Sequence, residues 1–476
     1  MPRIGEDELL RLVEKAVELG AEYAEARYHR LREFSYTLMN GALARASISE
    51  SEGVAVRVIV DGSLGFASTN DLQTRALEEA VEKAVRSARS TAGLVREKIR
   101  MAPARLGRAR YSVYEAKPFE SIPEEDFVDE GRDLVSSIDT ANLGFELKSL
   151  ILNLGYSIEE KLLVTSDGAI VESRVPRLEG FYSVTGTAEG ERANRWNQIG
   201  GSGGLELIEA LKVRENVEDD LRSLRIYLRE AGKPPRGKMD VILGPEVVGL
   251  AVHESAGHPS EADRVLGREA AQAGLSYRRR MKPGERIGSE YSTVIDDPTI
   301  PGSYGFYLYD DEGVPARPRY LIRNGLLDEY LHNRETAAVY GVESNAAARA
   351  KEWWAEPIVR MANTYFAPGD YSFEELVEGV KRGVYIKKYM EWNIDDYRWV
   401  ARYVGFEAYE IVDGRLGRPV KNPALEVNSL EFYSSVDAAG KDLQFYAGTC
   451  GKGEPGQGVP VWFGGPHIRL RGVRIL

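Results

Sequence analysis

Hydrophobic and polar positions change period several times along the chain, and each change marks a predicted element. Residues 6–20 set acids against Leu9, Leu12, Val13 and Ala16 at helical spacing, which predicts an amphipathic helix stopping at Gly20. Strand-like segments follow at 23–30, 34–39, 43–48, 54–60 and 64–67. The dipeptides Asn40-Gly41 and Asp61-Gly62 lie between them, and type I′ hairpins favour both. Helical spacing returns over 71–90 through Leu77, Val81, Val85 and Ala88. Residues 101–120, with scattered basic residues and two prolines, predict a linker.

A second unit uses the same grammar. A helix is predicted over 123–137, with Pro123 near its start. Strands are predicted at 146–157, 161–165, 169–174 and 180–189, a glycine-rich loop at 197–204, and a long helical stretch at 205–230. The run A-G-K-P-P-R-G-K at 231–238 marks a boundary. Beyond it Met239–Leu243 predicts a buried strand, and Gly244-Pro245 opens a helix with proline at its first position. The remainder is strand-rich: a hairpin about Asn324-Gly325, strands at 400–412 and 430–432, a closing strand at 468–476, and one short helix at 372–380. Ser372 and Glu375 fit a capping box for that helix. Asp310-Asp311-Glu312-Gly313 predicts a plain hairpin turn or a loosely bound cation, residues 344–354 a mobile segment, and Arg278-Arg279-Arg280 a solvated loop. The fold class is therefore α+β, with helix-flanked antiparallel sheets in the N-terminal part and a strand-rich C-terminal domain. Three domains are expected, at 1–100, 101–230 and 231–476.

Composition narrows the function. A formal charge of −12 argues against a nucleic-acid binder, which is normally basic. The single cysteine, Cys450, cannot form a disulfide within the chain, so nothing points to an oxidising compartment. The start, M-P-R-I-G-E-D-E, lacks a signal-peptide core, and no apolar run reaches eighteen residues. A soluble cytoplasmic protein is expected.

The helix opened by Pro245 runs into V-H-E-S-A-G-H-P-S-E-A-D, so the C-terminal domain carries H-E-x-x-x-H in His253, Glu254 and His258. A catalytic zinc takes three nitrogen, sulfur or oxygen ligands and keeps a fourth position open. An adjacent glutamate can then take the proton from a water. In the familiar H-E-x-x-H the histidines are four apart and share a helix face. Here they are five apart, which leaves them about 140° from one another on a regular helix. Gly257 and Pro259 offer two ways out: the helix loosens or ends near Gly257, or it widens locally into a π turn.

Cys450, in the glycine-crowded stretch Y-A-G-T-C-G-K-G-E-P-G-Q-G-V-P-V, is the candidate third ligand. Its thiolate would cancel one unit of the metal's charge, so Glu254 would matter more as general base. Glu261 and Asp263 are candidates to hydrogen-bond the ligand imidazoles, with plain surface exposure the alternative. His332 is a candidate for contact with substrate or a developing oxyanion, against a structural role; His29 and His467 are taken as structural.

With these motifs in view, the chain resembles the TldD/PmbA family of metallopeptidases. H-E-S-A-G-H-P-S-E-A-D at 253–263 and T-C-G-K-G-E-P-G-Q-G-V-P-V at 449–461 carry the resemblance. D-D-E-G-V-P at 310–315, R-M-A-N-T-Y at 360–365 and G-F-A-S-T-N-D-L at 65–72 support it. The resemblance implies one zinc per chain on His253, His258 and Cys450, with Glu254 as the motif glutamate. It also implies peptidase action on short or unfolded peptides within an oligomer, either a homodimer or a heterodimer with a PmbA-like (TldE) subunit that lacks the metal residues. Because this chain keeps all the ligands, it resembles the catalytic subunit. A second reading is a non-catalytic partner or scaffold with a structural or vestigial metal site.

Overall fold

The computed structural model describes residues 4–271, 273–453 and 456–476. Glu454 and Pro455, within the C-terminal stretch quoted above, lie outside the described residues. Helix α1 (Glu6–Glu18) has three acids in its first turn and buries Leu9, Leu12, Val13 and Ala16, as its pattern predicts. The strand segments that follow are longer than their alternation suggests. Residues 23–30 and 34–39 are one strand, β1 (Tyr23–Met39), and residues 43–48 and 54–60 another, β2 (Ala42–Val60). The polar stretches between the expected segments face one another across the ladder, with Arg32 opposite Glu50 and Glu33 opposite Ser49. Pairing therefore continues where the apolar pattern stops. Asn40, Gly41, Asp61 and Gly62 all have positive φ, as type I′ turns require.

Next come β3 (Ser63–Thr69), α2 (Thr74–Thr91) and β4 (Arg108–Ser112). The expected linker thus contains a strand, which pairs in parallel with residues 170–174; a non-local partner of this kind leaves no local signal. After α3 (Glu124–Ser137), strands β5 (Glu146–Thr165) and β6 (Ile170–Ala188) each merge two expected strands. Where a glycine-rich loop is expected, β7 (Glu191–Ser202) continues through Gly200 and Gly201. One seven-stranded sheet runs β3-β2-β1-β5-β6-β4, with β7 also on β6, so it draws strands from both sides of residue 100. The long helical stretch is interrupted: Lys212 takes φ +51 before α4 (Val213–Arg225) begins.

The C-terminal part opens with β8 (Gly237–Leu243) and α5 (Pro245–Val252), every residue of which is buried. Strands β9 (Arg382–Ile394), β10 (Val400–Val412), β11 (Ala424–Asn428), β12 (Gln444–Lys452), β13 (Gln457–Gly465) and β14 (Ile468–Ile475) complete the framework. The order β9-β8-β14-β11-β10, with β10 returning to β9, closes a barrel. A separate six-stranded sheet ends in β13 and then β12 at its edge. Helix α5 lies against that sheet so closely that a Cβ on Gly249 would sit 2.6 Å from the Gly464 backbone nitrogen.

Two local expectations are overturned by packing, and the strand expected at 430–432 is instead part of a helix, Ser429–Ser435, whose start is capped by the Asn428 side chain accepting from the Glu431 N–H. Arg278 is buried; its guanidinium lies 4.2 Å from the Tyr330 ring centroid and donates to Ser260 Oγ and the carbonyls of Asp328 and Glu329. Residues 344–350 are buried instead of mobile, with Asn345 donating to the Tyr330 carbonyl. The Asp310–Gly313 turn is a hairpin closed by a Tyr309–Pro315 bridge, and it is buried against the first sheet. There Arg57 donates to Glu312 at 2.7 Å and Lys161 to Asp311 at 3.0 Å.

Candidate metal centre

Helix α5 delivers the motif, and what happens at its end decides whether the two histidines can meet. At His253 the helix widens into a π turn over His253–Gly257, in which the His258 N–H donates to the His253 carbonyl. The extra residue in that turn brings His258 round beside His253. Their ring centroids are 5.1 Å apart and the rings nearly perpendicular, at 83°. Of the two routes that the sequence allows, the chain takes the π turn. Pro259 does not push His258 out of the helical region: His258 has φ −54 and ψ −44 and starts a short 3₁₀ turn. Gly257 is helical too, at φ −59, so it supplies no unusual dihedral. It is needed for a close approach, because a Cβ there would lie 2.1 Å from Met361 Sδ.

Cys450 reaches the histidines from β12, where it pairs with Val459 of β13. His258 Nε2 lies 3.5 Å from Cys450 Sγ, and the candidate ligand atoms of His253, His258 and Cys450 all lie within 4.8 Å of one another. Two ligands of a tetrahedral zinc, with bonds of about 2.0 and 2.3 Å, would be separated by about 3.5 Å. The donor set fits a metal in two further ways. His253 Nδ1 is buried with no hydrogen-bond partner among the described residues, an orphan that a metal bond would satisfy. Burial lowers the pKa of both imidazoles, favouring the neutral ligand form. Burial alone would raise the Cys450 thiol, but the His258 ring and the Arg360 guanidinium outweigh it and draw the thiol below its ordinary value.

The flanking acids divide. Glu261 Oε2 is 2.9 Å from His258 Nδ1; an ionised carboxylate accepts there, so Nδ1 carries the proton and Nε2 keeps its lone pair. Burial would raise the Glu261 pKa, yet Lys452, the His258 ring and Arg264 hold it well below the usual carboxylate range. Asp263 touches neither imidazole among the described contacts. It receives two hydrogen bonds from Lys452, two residues beyond Cys450, and so ties the motif segment to β12. Glu254 is paired with Arg398, on the turn between β9 and β10.

His332 stands elsewhere: Nδ1 faces Thr336 Oγ1 at 3.2 Å, and the ring packs on Tyr330 and Tyr340 beside a cavity that Arg278 also lines. His467 bridges Asp442 and Tyr385, and His29 faces Glu159.

Sequence reasoning gives no role to several residues that hold this arrangement. Arg360 donates to the carbonyls of Cys450 and Gln457 across the β12–β13 hairpin. Gln198 of β7 makes two hydrogen bonds with Thr449, beside Cys450. Arg195, also of β7, donates at 3.1 Å to both oxygens of Glu246 in the first turn of α5. Their one sequence signal is that Arg360 lies in R-M-A-N-T-Y; the others meet the site only through the fold.

Comparison with known proteins settles the family. Residues 236–476 match the PmbA/TldA metallopeptidase C-terminal domain, 24–88 match its domain 1 and 117–231 its central domain. The chain belongs to the PmbA/TldA metallopeptidase family. A metalloprotease of Methanothermobacter thermautotrophicus is 34% identical over 463 residues, which cover 96% of each chain. A zinc metalloprotease TldD homolog of Saccharolobus solfataricus is 27% identical over 98% of this chain and 99% of its own. Among solved structures, TldE of Thermococcus kodakarensis superposes with a TM-score of 0.77 at 18% identity, covering 98% of this chain and 99% of that one. That last likeness is one of fold. Within the PmbA/TldA family frame, the cluster of His253, His258 and Cys450 lies in the C-terminal domain, on one helix end and one hairpin.

Proposed function

We propose that this protein is a zinc-dependent peptidase acting on short or unfolded peptides, with His253, His258 and Cys450 as ligands and Glu254 as general base. The observation that carries the proposal is the convergence of three buried ligand atoms next to a carboxylate that directly follows one of them. Two imidazoles and a thiolate with a position left open suit zinc, which when bound polarises the scissile carbonyl and acidifies water. Glu254 takes the proton of the attacking water as its oxygen adds to the carbonyl carbon. It returns that proton to the nitrogen as the C–N bond breaks. Glu261 fixes the His258 ring and its tautomer throughout.

The same reading includes a second subunit, either a like chain or a TldE-like one. It is supported by the outer half of β2, where residues 42–50 are mostly exposed, Ile48 by 72%, and among the described residues pair with β1 alone. A thiol kept free for a metal fits a reducing, intracellular setting.

Metal content tests the proposal, measured for wild type, Cys450→Ala and Glu254→Gln, each also assayed on an unstructured peptide. Wild type is expected to hold one zinc per chain, and Cys450→Ala to lose zinc and cleavage together. Glu254→Gln is expected to keep zinc and lose about 10²–10⁴-fold in rate. Zinc retained in Cys450→Ala would take the cysteine out of the site. Tight zinc without cleavage in wild type would put the non-catalytic subunit in place of the peptidase.

A further inference from the structure

The four groups of the proposed site are closed off. His253 and Glu254 are 5% exposed, Cys450 4% and His258 3%, so a peptide bond cannot touch them without something moving. What covers Glu254 is the turn between β9 and β10. Arg398 Nη1 donates to Glu254 Oε2, and the Arg398 side chain is itself only 11% exposed. Arg398 holds φ +61, a left-handed backbone that a residue with a Cβ adopts at a cost. The turn leans on the segment after the motif: Tyr277 N–H donates to the Tyr397 carbonyl at 2.9 Å, and Ala273 N–H to Asp396 Oδ1 at 3.2 Å.

We propose that Arg398 is a positioning residue that latches Glu254 in a closed site, and that the β9–β10 turn swings away to admit peptide. The proposal rests on the peptidase reading and deepens it. The Glu254 oxygen engaged by the guanidinium is not free to accept a proton from water. Release of the latch therefore both uncovers the ligands and frees the base. No bond is made or broken in this step; an ion pair exchanges for water and substrate.

The chain's one cysteine makes the gate measurable without any turnover. In metal-free protein, the rate at which a maleimide labels Cys450 reports how often the site opens. Arg398→Gly suits the test, because glycine accepts the left-handed φ and the turn keeps its shape while the latch is lost. Removing a charge-assisted hydrogen bond shifts such an opening equilibrium by about tenfold or more. Labelling is expected to speed up by that factor in Arg398→Gly, and likewise in Glu254→Gln, whose amide cannot form the ion pair. Arg398→Lys, which keeps the charge, is expected to stay close to wild type. In zinc-loaded enzyme, Arg398→Gly should lower KM, because binding no longer has to break the pair, and the gain should sit in KM rather than in kcat. Equal labelling rates in wild type and Arg398→Gly, with both folded by circular dichroism, would overturn the latch whatever happens to cleavage. Failure of wild type to cleave peptide would overturn the peptidase reading and leave the labelling result standing.

Discussion

His332 shows how a single residue's environment becomes a measurable property of the molecule. Burial pushes its pKa down to about 4; nearby Arg278 acts in the same direction and Glu329 against it. In the unfolded chain a histidine titrates near 6.5. Between these values the unfolded state binds a proton that the folded state refuses, so stability is lost as pH falls from about 6.5 towards 4. This one group should cost about 2 kcal/mol between pH 7 and pH 5. Urea unfolding of His332→Gln at the two pH values should show a loss smaller by about that amount. An unchanged difference would mean that the ring is charged or solvated in the fold. The motif spacing already sets His253 and His258 apart from the other three histidines, but the environments that give each ring its properties are tertiary. All five are identical as letters; His258 differs from His332 in that its Nε2 meets a sulfur at 3.5 Å while Glu261 holds its other nitrogen.

Among the elements, the segment from Pro245 to Ser260 is the most exacting, because it passes from α to π to 3₁₀ within sixteen residues. The spacing of five in H-E-x-x-x-H already rules out a regular helix, so the need for a widened or broken turn was legible. Which of the two occurs was not, since it depends on Met361 packing against Gly257 from a distant strand connection. Two glycines of this segment make a paired prediction. In Gly249→Ala the new methyl meets the Gly464 backbone nitrogen at 2.6 Å, and a backbone cannot turn aside. In Gly257→Ala it meets the end of a methionine, which can change rotamer. Overpacking costs about 1–3 kcal/mol. Gly249→Ala should fall at the upper end by chemical denaturation and Gly257→Ala lower, although the latter displaces residues next to His258. The reverse order would show that the sheet yields more easily than the side chain.

Across the whole molecule, the two halves are joined by buried charge. Arg57 of β2 donates at 2.7 Å to Glu25 beside it and at 2.7 Å to Glu312 in the C-terminal part, with all three side chains at most 3% exposed. Lys161 to Asp311 and Arg334 to Asp167 cross the same seam. Arg57→Met would leave two carboxylates facing one another out of water. Breaking a buried pair from one side costs about 3–5 kcal/mol. Its unfolding midpoint should drop accordingly, and Arg57→Lys should recover part of the loss. A change under 1 kcal/mol would mean that water already reaches the seam. From β7 the same first sheet reaches the site through Gln198 on Thr449 and Arg195 on Glu246.

The sequence by itself determined the α+β class, most helices, the type I′ turns, the buried entry into the motif helix and the candidate residues. Each of these rests on local periodicity, on a dipeptide's dihedral preference or on the chemistry of particular side chains. Tertiary structure alone decided the rest. It merged strand segments across polar interruptions, because ladder hydrogen bonds do not depend on side-chain hydropathy. It buried Arg278 and residues 344–350, because partners far along the chain satisfy their polar groups. It brought Cys450 within reach of His258 across 192 residues, and it placed Arg398 on Glu254 across 144. Those distances in sequence are closed by a hairpin and a turn whose positions are fixed by packing, and no local pattern encodes where packing will put them.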